Sequence, residues 1–196
     1  MLHIVDDEEA IRDSLIWLAE SRQIHAAGYD GAQPFLDMLG TDYAFNPEGD
    51  CLLLDMRMPD MSGALLFDTL AARGLTQRMP VIFLTGHGDV PMAVDSLKRG
   101  AFDFFEKPFN DNKLIDRVEE ALQASLKAGD QALVQTRLAS LSSREREVMD
   151  LILEGRMNKV IADMMGISMR TVEVHRAHIL SKMQVRTAVE LARLLK

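Results

Sequence analysis

The chain has 196 residues, 47% hydrophobic and 27% charged, a size and balance that fit two ordinary globular domains and exclude a disordered or fibrous protein. No apolar run approaches the about 20 residues of a membrane-spanning helix, the start Met1-Leu2-His3-Ile4-Val5 lacks the layout of a secretory signal, and the single Cys51 excludes an intrachain disulfide and a cysteine-rich metal site. A cytoplasmic protein with no membrane partner is expected, and its net charge of −8 is divided: residues 1–136 carry 11 Lys/Arg against 23 Asp/Glu, whereas residues 137–196 carry 11 against 7, so only the second part suits phosphate backbones.

In the first part, short apolar runs alternate with segments of helical period, the mark of βαβ units and a parallel sheet. The predicted strands are Leu2–Val5, Ile24–Tyr29, Cys51–Leu54, Val81–Leu84 and Phe102–Phe105, each followed by a helix; the first helix places Ile11, Leu15 and Leu18 on one face. The third and fourth strands are apolar throughout, as central strands covered on both faces must be. A fifth helix is expected from about Asp111 to Lys127, with Gly129 and its polar neighbours marking a linker at about 130–140. Four short helices should follow, started by Ser142 with Glu145 as a capping box, by Asn158, by Ser168, and by Thr187 with Glu190 as a second box. Most of the 13 Met read as gap-filling core residues.

In open α/β sheets, ligands sit beyond the carboxyl ends of the strands, and those ends carry Asp6, Asp7, Asp55, Thr85 and Lys107. Taken singly, a strand-terminal aspartate is more often a turn former or helix cap. Together, carboxylates can hold a hard divalent ion such as Mg²⁺, Lys107 and the Thr85 hydroxyl can bind phosphoryl oxygens, and Asp55 can act as nucleophile. His87 reads as a solvent-facing loop residue, and Pro59 and Gly63 read equally as turn residues or as shapers of the Asp55 loop.

Asp6-Asp7, the run from Leu52 through Asp55 and Pro59 to Gly63, Thr85-Gly86-His87-Gly88 and Lys107-Pro108-Phe109 resemble, in order and spacing, the receiver domain of response regulators over about residues 1–122. The resemblance implies a doubly wound five-stranded parallel sheet of the flavodoxin/CheY-like kind. It implies that Asp55 accepts phosphate from a sensor histidine kinase, that Asp7, Asp55 and the backbone carbonyl of Arg57 bind Mg²⁺ with Asp6 assisting, and that Lys107 pairs with the phosphoryl group. Thr85 and Phe104 match the switch pair, although Phe lacks the hydroxyl of the Tyr that many members carry. The Lys107-Pro108 bond matches a position that is cis in the family.

Farther on, Asn158–Met165, the Gly166-Ile167 break and a helix begun by Ser168 carry helix-turn-helix punctuation. A helical wheel puts Val172, Ile179 and Met183 on the core side, with His175 and Arg176 at its margins. The opposite face offers Arg170, Val174, Ala177, His178 and Ser181, with Thr171, Glu173 and Lys182 beside it. Leu141 to Val148, Asn158 to Ala162 and Ile167 to Arg176 resemble the LuxR-type output domain, and the whole chain looks like a FixJ-like member of the NarL/FixJ class. By wheel and resemblance together, Glu173, Val174 and Ala177 face base edges. Lys159, Arg170, Thr171, Arg176, His178 and Lys182 hold phosphates; His175 is structural.

The expected organisation is a receiver at 1–122, a helix extension and linker at 123–137, and a small all-α helix-turn-helix domain at 138–196. The function it implies is phosphorylation-dependent regulation of transcription, as an activator acting with RNA polymerase and as a homodimer on phosphorylation. A protein-interaction module is the alternative that the overall acidity favours and the basic tail disfavours. An enzyme with an aspartyl-phosphate intermediate is disfavoured, because Asp55-Met56-Arg57 offers no second acid two residues on to act as general acid.

Overall fold

A computed structural model describes residues 1–86 and 90–195, with Val90 described by its backbone. His87 lies outside the described residues. The chain divides into two compact units, Met1–Gly129 and Asp130–Lys196.

The first unit alternates β1 (Leu2–Val5), α1 (Glu9–Ser21), β2 (Ala26–Tyr29), α2 (Ala32–Leu39), β3 (Cys51–Asp55), α3 (Gly63–Ala72), β4 (Val81–Thr85), α4 (Val90–Lys98), β5 (Asp103–Glu106) and the start of α5 (Asp111–Ala139). The strands form one parallel sheet in the order β2-β1-β3-β4-β5. The winding reverses between β1 and β3, which opens a crevice at their carboxyl ends. Side chains alternate across a strand, so β3 serves two cores. Leu52 and Leu54 join Phe35, Phe67 and Phe83 on one face; Cys51 and Leu53 join Ile4, Ile82, Leu114 and Val118 on the other.

Several boundaries depart from the sequence reading. The second strand starts at Ala26 instead of Ile24, because Ile24 donates its N–H to Ala19 O and finishes the turn out of α1, in which Gln23 takes φ 61°. The third and fourth strands each run one residue longer, through Asp55 and Thr85, and the fifth starts and ends one residue later than expected. The largest difference is α5, which continues to Ala139 through the expected linker. Gly129 is not a helix stop: a Cβ there would lie 2.9 Å from Arg78 Nη2, so this glycine admits a neighbouring guanidinium.

The second unit packs the last turns of α5 with α6 (Ser143–Leu153), α7 (Asn158–Met165), α8 (Met169–Met183) and α9 (Ala188–Leu194). Val148, Ile152, Ile161, Ala162, Val172, Ile179, Met183 and Leu191 form its core. The Ser142/Glu145 box closes in both directions, and Ser168 and Thr187 accept from the N–H groups of Thr171 and Glu190. Asn158 is not a cap, since Met157 holds that position in extended conformation and Asn158 is already helical. The second box is only half closed: the Glu190 carboxylate reaches the N–H of Arg186, one residue before the cap.

Candidate functional site

Val5 ends β1 inside the core, so Asp6 leaves the strand in a buried position. Its main-chain oxygen accepts from Arg12 Nη1 at 2.7 Å, its Oδ1 from the N–H of Glu8 at 2.9 Å, and its Oδ2 from Lys107 Nζ at 2.8 Å. On the neighbouring strand, Asp55 closes β3 only 6% exposed. Its Oδ1 accepts from the same Lys107 Nζ at 2.6 Å, and its Oδ2 from the N–H of Arg57 at 2.6 Å. Gly63 lets α3 start against this strand end, for a Cβ there would overlap the carbonyl oxygen of Asp55. Lys107 is held in turn by its own N–H, which donates to Thr85 O at 2.7 Å just before the cis Lys107-Pro108 bond.

One ammonium therefore joins two carboxylates. Burial pulls the Lys107 pKa down, but the hydrogen bonds to Asp55 and Asp6 outweigh it and hold the amine protonated, above its ordinary range. Burial pushes the Asp55 carboxyl up, and the Asp6 charge adds to that, against the opposing pull of Lys107 and the Arg57 N–H. Such a carboxylate gains from any further cation. Beside it, the Thr85 hydroxyl is fully buried and has no hydrogen-bond partner among the described residues.

Of the residues singled out from sequence, Asp6, Asp55 and Lys107 are gathered by direct bonds, and Thr85 is tied to Lys107 through the backbone. Asp7 is exposed at the entrance to α1, and Arg57 is exposed in the loop after β3. Phe104 is half-buried on β5, paired in register with Phe83, and packs on the core layer of Leu52 and Leu54. Among the described residues no three His, Cys, Asp or Glu side chains converge as a metal cage. Asp6 and Asp55 are the two buried carboxylates gathered here, hard oxygen donors of the kind that Mg²⁺ takes. Sequence reasoning missed Glu8, whose carboxylate is 3.9 Å from Lys107 Nζ, and Arg12, which fixes the Asp6 main chain. The acidic run Asp6-Asp7-Glu8 could have pointed to the first; no sequence signal pointed to the second.

In the second unit, α7 stops at Gly166 in the left-handed region (φ 65°) and α8 begins at Met169, just after its cap. Val172, Ile179 and Met183 face the core and His175 and Arg176 are half-buried, as the wheel requires. Nδ1 of His175 is buried without a partner among the described residues. Lys159, Arg170, Glu173, Val174, Ala177, His178 and Lys182 are exposed, and Thr171 is half-buried, its hydroxyl 2.8 Å from the capping Ser168. Within the unit Arg170 pairs with Glu173 at 3.2 Å, Lys182 with Glu145 at 2.7 Å, and Nδ1 of His178 lies 3.7 Å from Glu145. Among the described residues no helix is long and apolar enough to cross a membrane.

Residues 2–119 match the family described as response regulator receiver domain, and residues 139–195 match the bacterial regulatory proteins of the luxR family. The chain is 51% identical to the C4-dicarboxylate transport transcriptional regulatory protein DctR of Rhodobacter capsulatus, covering 98% of each. It is 42% identical to the transcriptional regulatory protein FixJ of Azorhizobium caulinodans, covering 98% of this chain and 90% of that one. Among solved structures it resembles the response regulator StyR (TM-score 0.71, 37% identity, covering 99% and 96%). It also resembles full-length FixJ from B. japonicum (TM-score 0.59, 42% identity, covering 98% and 94%).

Proposed function

The chain belongs to the NarL/FixJ class of two-component response regulators, transcription regulators that join a receiver to a LuxR-type DNA-binding domain, and on that premise we propose that phosphorylation of Asp55 switches its DNA binding. The observation that carries the reading is the Lys107 ammonium bridging the buried carboxylates of Asp6 and Asp55 beside a Thr85 hydroxyl with no partner among the described residues. That is an anionic nucleophile, a charge to receive phosphoryl oxygens, and a donor in reserve.

In this reading a sensor histidine kinase presents a phosphohistidine. An Asp55 oxygen attacks phosphorus as the P–N bond breaks, and the imidazole leaves. Asp6, Asp7, Asp55 and the backbone carbonyl of Arg57 would hold Mg²⁺, which when bound would supply positive charge against the repulsion between carboxylate and phosphoryl group. Lys107 turns from Asp55 to the phosphoryl oxygens, and the Thr85 hydroxyl finds its acceptor there. Thr85 sits on β4 and Phe104 on the adjoining β5, so movement of the first opens space into which the second can turn, altering the face made by α4, β5 and α5. Receivers at 1–122 then pair, and two output domains at 138–196, joined to them through 123–137, engage paired half-sites. Glu173, Val174 and Ala177 face bases; Lys159, Arg170, Thr171, Arg176 and His178 face phosphates. The protein acts as an activator with RNA polymerase, in the cytoplasm, and turns over no substrate of its own.

The test is DNA binding with and without a small-molecule phosphoryl donor plus Mg²⁺, for the native protein and for Asp55→Asn. Likeness to a regulator of C4-dicarboxylate transport makes promoters of such transport genes the first probes. A donor-dependent gain that is absent in Asp55→Asn supports the switch, and equal binding in every condition overturns it. Donor-independent capture of proteins with no binding to any DNA would favour the interaction module instead.

A further inference from the structure

Lys182 lies toward the end of the recognition helix α8, where an exposed cation reads as a phosphate contact. Its ammonium, however, is directed back into the domain. Nζ donates to Glu145 Oε2 at 2.7 Å and to the main-chain oxygen of Ser140 at 3.1 Å. Glu145 is not a surface acid that happens to be near: it is 4% exposed and is the closing residue of the α6 capping box, accepting from the Ser142 N–H at 2.8 Å. Nδ1 of His178, one turn earlier on α8, lies 3.7 Å from the other oxygen of the same carboxylate. A buried carboxylate thus meets the first turn of α6 and two successive turns of α8.

We propose that Lys182 is a positioning residue and not a phosphate contact: through Glu145 it pins the end of α8 to the start of α6 and so fixes the direction in which α8 presents Glu173, Val174 and Ala177. This rests on the reading of the domain as a DNA binder and changes one residue's part in it. The charge is well matched to the task. A lysine that leaves a buried carboxylate to reach a phosphate strands that carboxylate without its cation, which is costly. Two of the three ammonium protons are already engaged. Arg170 carries no such tie to a buried acid: it is 84% exposed, with the half-exposed Glu173 beside it.

The experiment compares native full-length protein with Lys182→Met, Lys182→Arg, Glu145→Gln and Arg170→Met, all treated with phosphoryl donor and Mg²⁺. Two duplexes are used: a genomic fragment enriched by binding to the native protein, and a synthetic duplex of random sequence. Removing one cation that neutralises a phosphate lowers the slope of log K against log salt by about 0.9. Arg170→Met should show that decrease, whereas Lys182→Met should keep the native slope and instead lose roughly tenfold in discrimination between the two duplexes, a change of about 1.4 kcal/mol. Lys182→Arg should restore discrimination, and Glu145→Gln, which keeps an acceptor for the Ser142 N–H, should reproduce Lys182→Met. A slope lowered in Lys182→Met, or native discrimination in a folded Lys182→Met, overturns the proposal. Additive losses of thermal stability in the Lys182→Met/Glu145→Gln double variant overturn it as well, by showing that the pair is not coupled. If the native protein binds neither duplex, the DNA-binding reading itself fails, a result visible before any variant is compared.

Discussion

Replacing Thr85 by Val should stabilise the resting protein while silencing it. The Thr85 side chain is fully buried at the end of β4, and its hydroxyl has no partner among the described residues. A buried polar group without a partner costs about 1–3 kcal/mol. Valine keeps the branched shape and replaces the hydroxyl by a methyl, so about 1 kcal/mol should be recovered, the low end of that range, because the methyl must still pack. For a unit of this size that is roughly a 2–5 °C rise in the melting temperature of the receiver transition. Thermal unfolding followed by circular dichroism without phosphoryl donor reads the gain, and donor-dependent DNA binding should be lost in the same variant. Thr85→Ser should do the reverse, losing about 1 kcal/mol with the buried methyl while keeping the response. A melting temperature that falls in Thr85→Val would refute the reasoning, since it would mean that the hydroxyl is satisfied in the resting state.

Three further outcomes are expected. Lys107→Met removes the cation from between Asp6 and Asp55, so the Asp55 pKa, read by NMR, should rise further and labelling by a phosphoryl donor should be abolished; unchanged labelling would leave Lys107 without its assigned part. Hydrogen bonds from Lys182 and the Ser142 N–H lower the Glu145 carboxyl from 4.5 to about 2. Because the folded value lies below the unfolded one, this contribution is fully present above about pH 4.5 and is lost as pH falls toward 2. The second unit should therefore lose stability across that window, and Glu145→Gln should flatten the slope; a slope unchanged in Glu145→Gln would count against the pairing. Gly63→Ala places a methyl on the Asp55 carbonyl oxygen and should cost about 1–3 kcal/mol in chemical denaturation together with slower labelling of Asp55, whereas native behaviour would show that the β3–α3 turn yields freely.

The sheet was legible because its central strands, Cys51–Asp55 and Val81–Thr85, are apolar up to their last residues, a pattern that parallel strands covered on both faces impose. Asp55, Asp6 and Lys107 were legible by position, since strand ends converge in this topology. What escaped the sequence depends on partners distant in the chain. Gly129 looks like a helix stop until Arg78 is seen beneath it. Ile24 has strand-like character, yet its N–H is spent on the turn out of α1. Arg12 gives no local sign that its guanidinium supports Asp6. Glu145 was legible as a cap, a bond within three residues, but not as the counter-ion of Lys182, 37 residues away.

Because β3 sends alternate side chains into two different core layers, it has no neutral position: every change from Cys51 to Leu54 disturbs packing on one face or the other. The loop that follows is built differently, with Arg57, Pro59 and Asp60 exposed. Asp55, the proposed phosphoacceptor, thus stands at the border between a segment that tolerates little drift and one with several exposed positions. Evolution can adjust how readily this carboxylate is reached, and how long a modification on it survives, by rewriting the loop while the strand that carries it stays the same.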